Sequence, residues 1–251
     1  MCAGQVRQQN RTSNERADHV SNRYDNILRF QAAWLDVPLE RLYEDKGFVN
    51  PTKTRGEKIP GYAKLFQVYA LRMEGSEAIY AACVPEIKIK PGMFEKIKPT
   101  SACLYFDNLN PSIDFSRARA LEESDIKAFV QFHQKAYPEC KTHDWIPDFA
   151  RGSIAQERLF GIFEGGRLVS VADAPTTPYL PEVIVEPGIF TLPEHRKKGY
   201  AAIACAALVH AQLQKGMTPY WSCAADNAAS IALAKHLGFK PFGGLWRLER
   251  I

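Results

Sequence analysis

The chain has 251 residues, 46% hydrophobic and 24% charged, ordinary values for a globular fold. Its formal net charge of +4, from 32 basic and 28 acidic side chains, is too balanced to argue for nucleic acid as a partner. Six cysteines are scattered without a C-x-x-C pair or a histidine cluster, which argues against any metal site. The polar opening lacks a secretory signal, and no run of about 18 apolar residues could span a bilayer, so a cytoplasmic protein with reduced thiols and no membrane partner is expected.

Residues 1–20 are polar and predict a flexible tail. Residues 21–112 read as an N-terminal α/β region. Tyr24, Ile27, Leu28, Phe30 and Trp34 recur at helical spacing. A second short helical piece carries Leu39, Leu42 and Tyr43, and 50–61 is loop-like. Two strands, 65–73 and 77–85, flank the turn Glu74-Gly75-Ser76; a short helix at 91–98 and a strand at 102–106 follow. Tyr62, Phe66, Tyr69 and Tyr80 are expected in the core rather than in a binding box.

The polar segment 107–116 marks a boundary, and 113–251 reads as a second domain. A short strand at 116–123 leads to a helix capped by Ser124 or Asp125, with Ile126, Phe129, Val130, His133 and Tyr137 near one face. A looser piece contains Trp145, Ile146 and Phe149. Residues 157–174 form a hairpin about Glu164-Gly165-Gly166. The strand 182–192 is interrupted at Pro187-Gly188, where a missing N–H predicts a bulge or split. Then come a helix from about Gly199 to Gln214, a strand at 219–225, a helix over 227–237 closed by Gly238, and one or two terminal strands. Cys205 and Trp221 are expected in the core. His133, His210 and His236 fall on helices and read as half-buried or solvent-tipped residues rather than ligands.

The junction at 189–201 carries the chemistry. An apolar strand end, Ile189-Phe190-Thr191, runs into Arg196-Lys197-Lys198-Gly199-Tyr200-Ala201, which opens a helix. The first amides of a helix lack intrahelical partners, and the helix dipole adds positive character, so this is an anion site suited to a pyrophosphate. An ordinary basic helix start packed on a sheet would carry the same letters. The neighbouring elements decide between them. Arg196, Gly199 and Ala201 fill the pattern Gln/Arg-x-x-Gly-x-Gly/Ala, so the segment resembles the acetyl-coenzyme A loop of the GNAT superfamily. The order of elements over 116–251 matches as well, and Asn227 to Phe239 is similar to that superfamily's fourth-helix signature. Trp221, Asn227, Ser230 and Leu237-Gly238-Phe239 look closer still to a bacterial subgroup that includes the zwittermicin-resistance acetyltransferases.

The resemblance implies a GNAT fold, an α/β (α+β) arrangement with a mixed central sheet flanked by helices. It implies transfer of an acetyl group from acetyl-coenzyme A to a primary amine in a ternary complex. The backbone of Ile189, Phe190 and Thr191 would hold the pantetheine arm. The loop residues Arg196, Lys197, Lys198, Gly199, Tyr200 and Ala201 would hold the pyrophosphate, its three cations screening the charge. Asn227 and Ser230 would reach the cofactor near its pantetheine. An amine with a pKa of about 10 must lose a proton before attack, so a carboxylate base is needed. Glu186 is the first candidate and Glu182, of equal strand parity, the second. Many members carry a Tyr acid seven residues after the helix Asn, and here that place is Ala234. Ser230, Tyr220 or water could take its role, or the thiolate could leave unassisted.

The missing Tyr keeps a catalytically inactive acyl-coenzyme A-binding module as an alternative, and an acetyltransferase acting on a protein or RNA amine is another. A small-molecule amine is the leading acceptor, with a monomer or homodimer as the assembly. The N-terminal half, whose strand–strand–helix–strand order echoes the second half, is compatible with a degenerate GNAT-like repeat. Lacking the loop, it is expected to bind no cofactor and to wall the acceptor pocket or form a dimer contact.

Overall fold

The computed structural model describes residues 22–57, 59, 65–90 and 92–249. The expected tail at 1–20 and Tyr62 lie outside the described residues. Contacts divide the chain into two units: residues up to Thr100 together with those from Phe242 onward, and Ser101–Pro241.

In the first unit, residues 22–35 form helix α1, whose Ile27, Leu28, Phe30, Trp34 and Leu35 are buried as the helical spacing predicts. Trp34 stacks on Tyr69 with ring centroids 5.0 Å apart, and the Tyr69 hydroxyl donates to Gln31 Oε1 at 2.6 Å. Strand β1 (Phe48–Pro51) pairs in parallel with β3 (Tyr80–Cys83). The expected hairpin is present: β2 (Val68–Met73) runs antiparallel to β3. β2 also pairs with the far part of β11 (Phe239–Leu248), one long strand. Phe66, Tyr69 and Tyr80 are buried, as core residues should be. The helix expected at 91–98 is absent; 92–97 is a series of turns and bends. Gly92 adopts φ 73°, which a right-handed helix cannot accommodate, and Met93 and Lys96 make three-residue turns back to Lys90 and Met93.

The second unit begins earlier than the polar 107–116 segment suggests. Strand β4 (Ser101–Phe106) pairs antiparallel with β10 (Thr218–Ala224), Leu104 opposite Trp221, and so belongs to this unit. The expected strand at 116–123 shortens to β5 (Arg119–Ala120). Asp125 does not cap the following helix α2 (Ile126–Ala136) with its side chain. Its carboxylate instead accepts from the Glu122 amide at 2.9 Å and from Arg119 at 2.6 and 2.8 Å, closing the turn that precedes the helix. The looser piece is in fact helix α3 (Ile146–Ala155), with Pro147 in its first turn, where a missing N–H costs nothing.

β6 (Leu159–Glu164) and β7 (Arg167–Asp173) form the predicted hairpin. Its two-residue turn needs left-handed backbone at both positions, and Gly165 and Gly166 supply it at φ 56° and 75°. The 182–192 strand splits as expected. β8 (Ile184–Val185) pairs in parallel with β10, whereas β9 (Gly188–Thr191) pairs antiparallel with β7. Glu186 and Pro187 lie in the gap. Pro187 has no N–H to give to a ladder, so this is where the strand changes partners.

Helix α4 (Tyr200–Gln214) is the centre of the unit. Alanine dominates its sequence, which favours the helix. Ala204 through Val209 are all buried, Cys205 among them, so the helix packs against apolar surface on nearly every side. Trp221, Phe239, Leu104 and Phe106 complete that core. A second cluster, Phe129, Phe132, Ile146, Leu159, Leu168, Val171 and Leu192, lies between α2, α3 and the sheet β5-β6-β7-β9. Helix α5 (Ala228–Leu237) ends at Gly238, φ 107°. No described helix is long and apolar enough to cross a membrane.

Candidate active site

The change of partner between β8 and β9 opens a wedge. β10 follows β8 for two pairs, Thr218 opposite Ile184 and Pro219 opposite Val185, and then loses it. β9 is the last strand of its own sheet, so one of its edges has no strand beside it. On the other edge Leu192 N–H donates to Val169 O at 3.0 Å. Backbone groups alternate sides along a strand, so those of Ile189 and Thr191 point to the open edge. Arg196 Nε donates to the Thr191 carbonyl at 3.0 Å, in keeping with that direction.

A cavity of 560 Å³ lies along this edge. Its walls are Ile189, Phe190 and Thr191 from β9, His195 to Ala202 except Lys198, and Asn227, Ala229, Ser230 and Leu233 from α5. The structure therefore brings together Ile189, Phe190, Thr191, Arg196, Lys197, Gly199, Tyr200, Ala201, Asn227 and Ser230, ten of the positions read from the sequence. Glu186, Glu182 and Lys198 are not in its lining.

The loop presents its amides by backbone geometry. Lys197 and Gly199 both adopt left-handed conformations, φ 61° and 81°. The first bond of α4 runs from Ile203 N–H to Gly199 O at 3.1 Å. The amides of Tyr200, Ala201 and Ala202 precede it and have no intrahelical acceptor. No side chain caps this helix. With the helix dipole behind them, these donors favour an anion.

The cations behave differently from the expectation that all three screen phosphate. Arg196 is tied to Thr191 O and lies over the Phe190 ring, 5.5 Å from its centroid. Lys198 turns away to Glu164, at 3.2 Å. Lys197 has no ion pair among the described residues and lines the cavity. It is the loop cation placed to meet an anion there.

Glu164, at the tip of the β6–β7 hairpin, is the residue that holds the loop. It accepts from the Tyr200 hydroxyl at 2.7 Å and from Lys198, and meets His195 Nδ1 at 2.6 Å. The Tyr200 hydroxyl, then Lys198 and His195, hold its carboxyl at about 2, well below the usual carboxylate range. Tyr200 itself is 4% exposed, so it offers its amide to the cavity while its ring anchors in the core. No local pattern identifies Glu164, because its partners lie 31 to 36 residues away.

α5 contributes a different kind of polar group. Asn227 caps the helix, its side-chain oxygen accepting from Ser230 N–H at 3.0 Å. Ser230 Oγ accepts from the indole N–H of Trp221, 3.0 Å away. The Ser230 proton is thereby left to point elsewhere, and the residue lines the cavity. Trp221, read as core, is buried as expected and also orients this hydroxyl. Tyr220 is fully buried outside the cavity lining, and Ala234 is fully buried too.

Of the two carboxylates proposed as base, Glu186 is half-buried in the gap of the split strand. Glu182 is exposed in the turn ahead of β8, near Arg158, whose guanidinium donates to Pro181 O at 3.0 Å. The two do not share a strand, because the ladder begins at Ile184 and breaks after Val185. A third carboxylate went unnoticed in the sequence. Asp173 ends β7 directly opposite Gly188. A charged residue at an inward position of the alternating run RLVSVAD was the available signal.

An open-edged split strand beside a helix start whose first amides lack acceptors can hold an extended ligand that carries an anion. Residues 119–243 match the family model described as GNAT acetyltransferase. Over that segment the chain is similar to GNAT acetyltransferases. An uncharacterized N-acetyltransferase of Bacillus subtilis (strain 168), YdfB, is 35% identical over 81 residues, 32% of this chain and 30% of that protein. An acetyltransferase of the GNAT family from Colwellia psychrerythraea superposes with a TM-score of 0.50 at 19% identity, over 59% of this chain and 56% of its own, a likeness of fold. The chain thus spans about a third of the curated relative and a little over half of that solved structure.

Proposed function

We propose that the protein is an N-acetyltransferase that moves the acetyl group of acetyl-coenzyme A to a primary amine of a small molecule, by direct transfer in a ternary complex in the cytoplasm. The observation that carries this reading is the 560 Å³ cavity that joins the open edge of β9 to the uncapped start of α4. The pantetheine arm would lie along Ile189 and Thr191 as an added strand. The pyrophosphate would sit on the amides of Gly199 to Ala202, with Lys197 beside it.

In the transfer, the amine nitrogen attacks the acetyl carbonyl carbon and the carbon–sulfur bond breaks. Glu186 in the strand gap takes the ammonium proton, directly or through water. Ser230, held by Trp221, donates its hydrogen bond to the departing thiolate. This supplies an answer to Ala234, a position that has no group to offer. Glu182 becomes the weaker candidate base. The likeness of Trp221, Asn227, Ser230 and Leu237-Gly238-Phe239 to the zwittermicin-resistance subgroup makes amine-bearing antibiotics part of the acceptor panel.

The test is calorimetry with acetyl-coenzyme A. Binding at tens of micromolar or tighter is expected. Gly199→Glu, which puts an anion among the phosphate-facing amides, should reduce it at least about a hundredfold. No binding by the unaltered chain ends the proposal. Binding without thiol release from any amine favours the inactive module instead.

A further inference from the structure

Asp173 is not part of the cavity lining. It is half-buried at the end of β7, on the face that carries Val171 into the second core cluster. Among the described residues no cation is paired with its carboxylate, which accepts from its own backbone N–H. Charged groups on an inward face are ordinarily paired or neutralised.

Its surroundings are shaped to leave room. Gly188, the first residue after the strand gap, lies directly across from it. A Cβ on Gly188 would stand 2.3 Å from Asp173 Oδ1, so the carboxylate reaches over the backbone at the split. Gly188 and Phe190 share one face of β9, and Phe190 is also a wall of the acetyl-coenzyme A cavity. Tyr137, which follows α2, packs on Phe190 with ring centroids 5.1 Å apart. The Tyr137 hydroxyl is raised above its usual value by burial and by Asp173, which places the two groups near each other. His133 then meets Tyr137 in a tilted contact, ring centroids 4.7 Å apart, continuing the aromatic wall away from the strand.

We propose that Asp173, with the rings of Tyr137 and Phe190, is the site that receives the ammonium group of the acceptor. A carboxylate without a cation, beside two aromatic faces, suits a primary ammonium group. Its cross-strand partner Gly188 is the residue just before the cofactor-lining stretch, which puts that ammonium at the strand gap where Glu186 also lies. Burial pushes the Asp173 carboxyl up to about 6. The titratable groups near it are Tyr137 and, on α4, Cys205, both neutral at this pH. Acceptor binding therefore weakens as pH falls through about 6 and the carboxyl takes a proton.

This inference rests on the acetyl-transfer reading, and acetyl-coenzyme A calorimetry separates the two failures. The full chain is assayed for thiol release with butylamine, tyramine and spermidine as probes. Asp173→Asn should raise the acceptor KM at least about tenfold. The dissociation constant for acetyl-coenzyme A should stay within twofold. Gly188→Ala, which displaces the carboxylate without removing it, should act in the same direction. Both variants keeping the unaltered KM and its pH profile would overturn the site. Should none of the three amines be acetylated, NMR of the Asp173 carboxyl decides. Butylammonium, and not butanol, lowers its titration midpoint if the site is right, and neither does if it is wrong.

Discussion

Helices α4 and α5 both start at the same cavity, and they treat their first amides in opposite ways. α5 closes its own start: Asn227 accepts from Ser230 N–H at 3.0 Å. α4 leaves its start open, with Gly199 in the cap position and no side-chain acceptor. A left-handed glycine, Gly199, opens α4, and another, Gly238, closes α5. Space differs again. A Cβ on Gly199 would meet nothing within 4 Å, whereas one on Gly238 would stand 1.7 Å from Asn108 O. The contrast teaches that Gly238 serves packing, while Gly199 serves whatever approaches from outside.

The largest effect should come from breaking the packed end. Gly238→Ala combines a left-handed alanine with a backbone collision, and should cost roughly 3 kcal/mol or more in chemical denaturation. Gly199→Ala should cost about 1 kcal/mol, the left-handed penalty alone. A Gly199 variant as damaging as the Gly238 one would erase the distinction between the two glycines.

The next effect sharpens the comparison between the two starts. Asn227→Ala removes a cap worth about 1 kcal/mol and should lower the melting temperature by a few degrees. It should raise the acetyl-coenzyme A dissociation constant no more than about fivefold, because the pyrophosphate is assigned to α4. A collapse of affinity with unchanged stability would mean that α5, and not α4, holds the phosphates.

Much of this was legible in the letters, and the reason is locality. The Gly165-Gly166 hairpin, the Pro187 split, the open helix start at Gly199 and the Gly238 cap each depend on a few adjacent residues whose backbone preferences are strong. Helix α3 was read as a looser piece, and Pro147 fits it because it sits in the first turn, where its missing N–H costs nothing. The 91–98 helix failed for the opposite reason, a left-handed Gly92 inside an apparently helical run. What the letters could not carry was side-chain partnership across the fold. Arg196, Lys197 and Lys198 look alike in sequence, yet Arg196 binds Thr191 O, Lys197 lines the cavity with no ion pair among the described residues, and Lys198 is drawn off by Glu164. Likewise Glu182 and Glu186 have equal parity, but the ladder that would make parity meaningful spans just Ile184–Val185.

The smallest expected effect concerns that diversion of Lys198. Glu164 binds His195, Lys198 and Tyr200 at once, so it fixes both sides of the open helix start without touching the cavity. Its carboxyl is depressed to about 2 from an ordinary value of 4.5. A depressed carboxyl contributes order that is fully present above its unfolded value and is lost as pH falls toward its folded one. Loop order, and with it acetyl-coenzyme A affinity, should therefore be insensitive to Glu164 from pH 8 down to about 5 and weaken below that. Glu164→Gln removes the charge at every pH. Because the group is solvent-facing, the loss at pH 7 should be about two- to fivefold in the dissociation constant. The affinities of the two proteins should then converge as pH falls from about 4.5 to about 2, as acid does to the carboxylate what the substitution has already done. A variant indistinguishable from the unaltered chain at pH 7 would show that the backbone of Lys197 and Gly199 shapes the open start unaided, and that the hairpin tip merely rests against it.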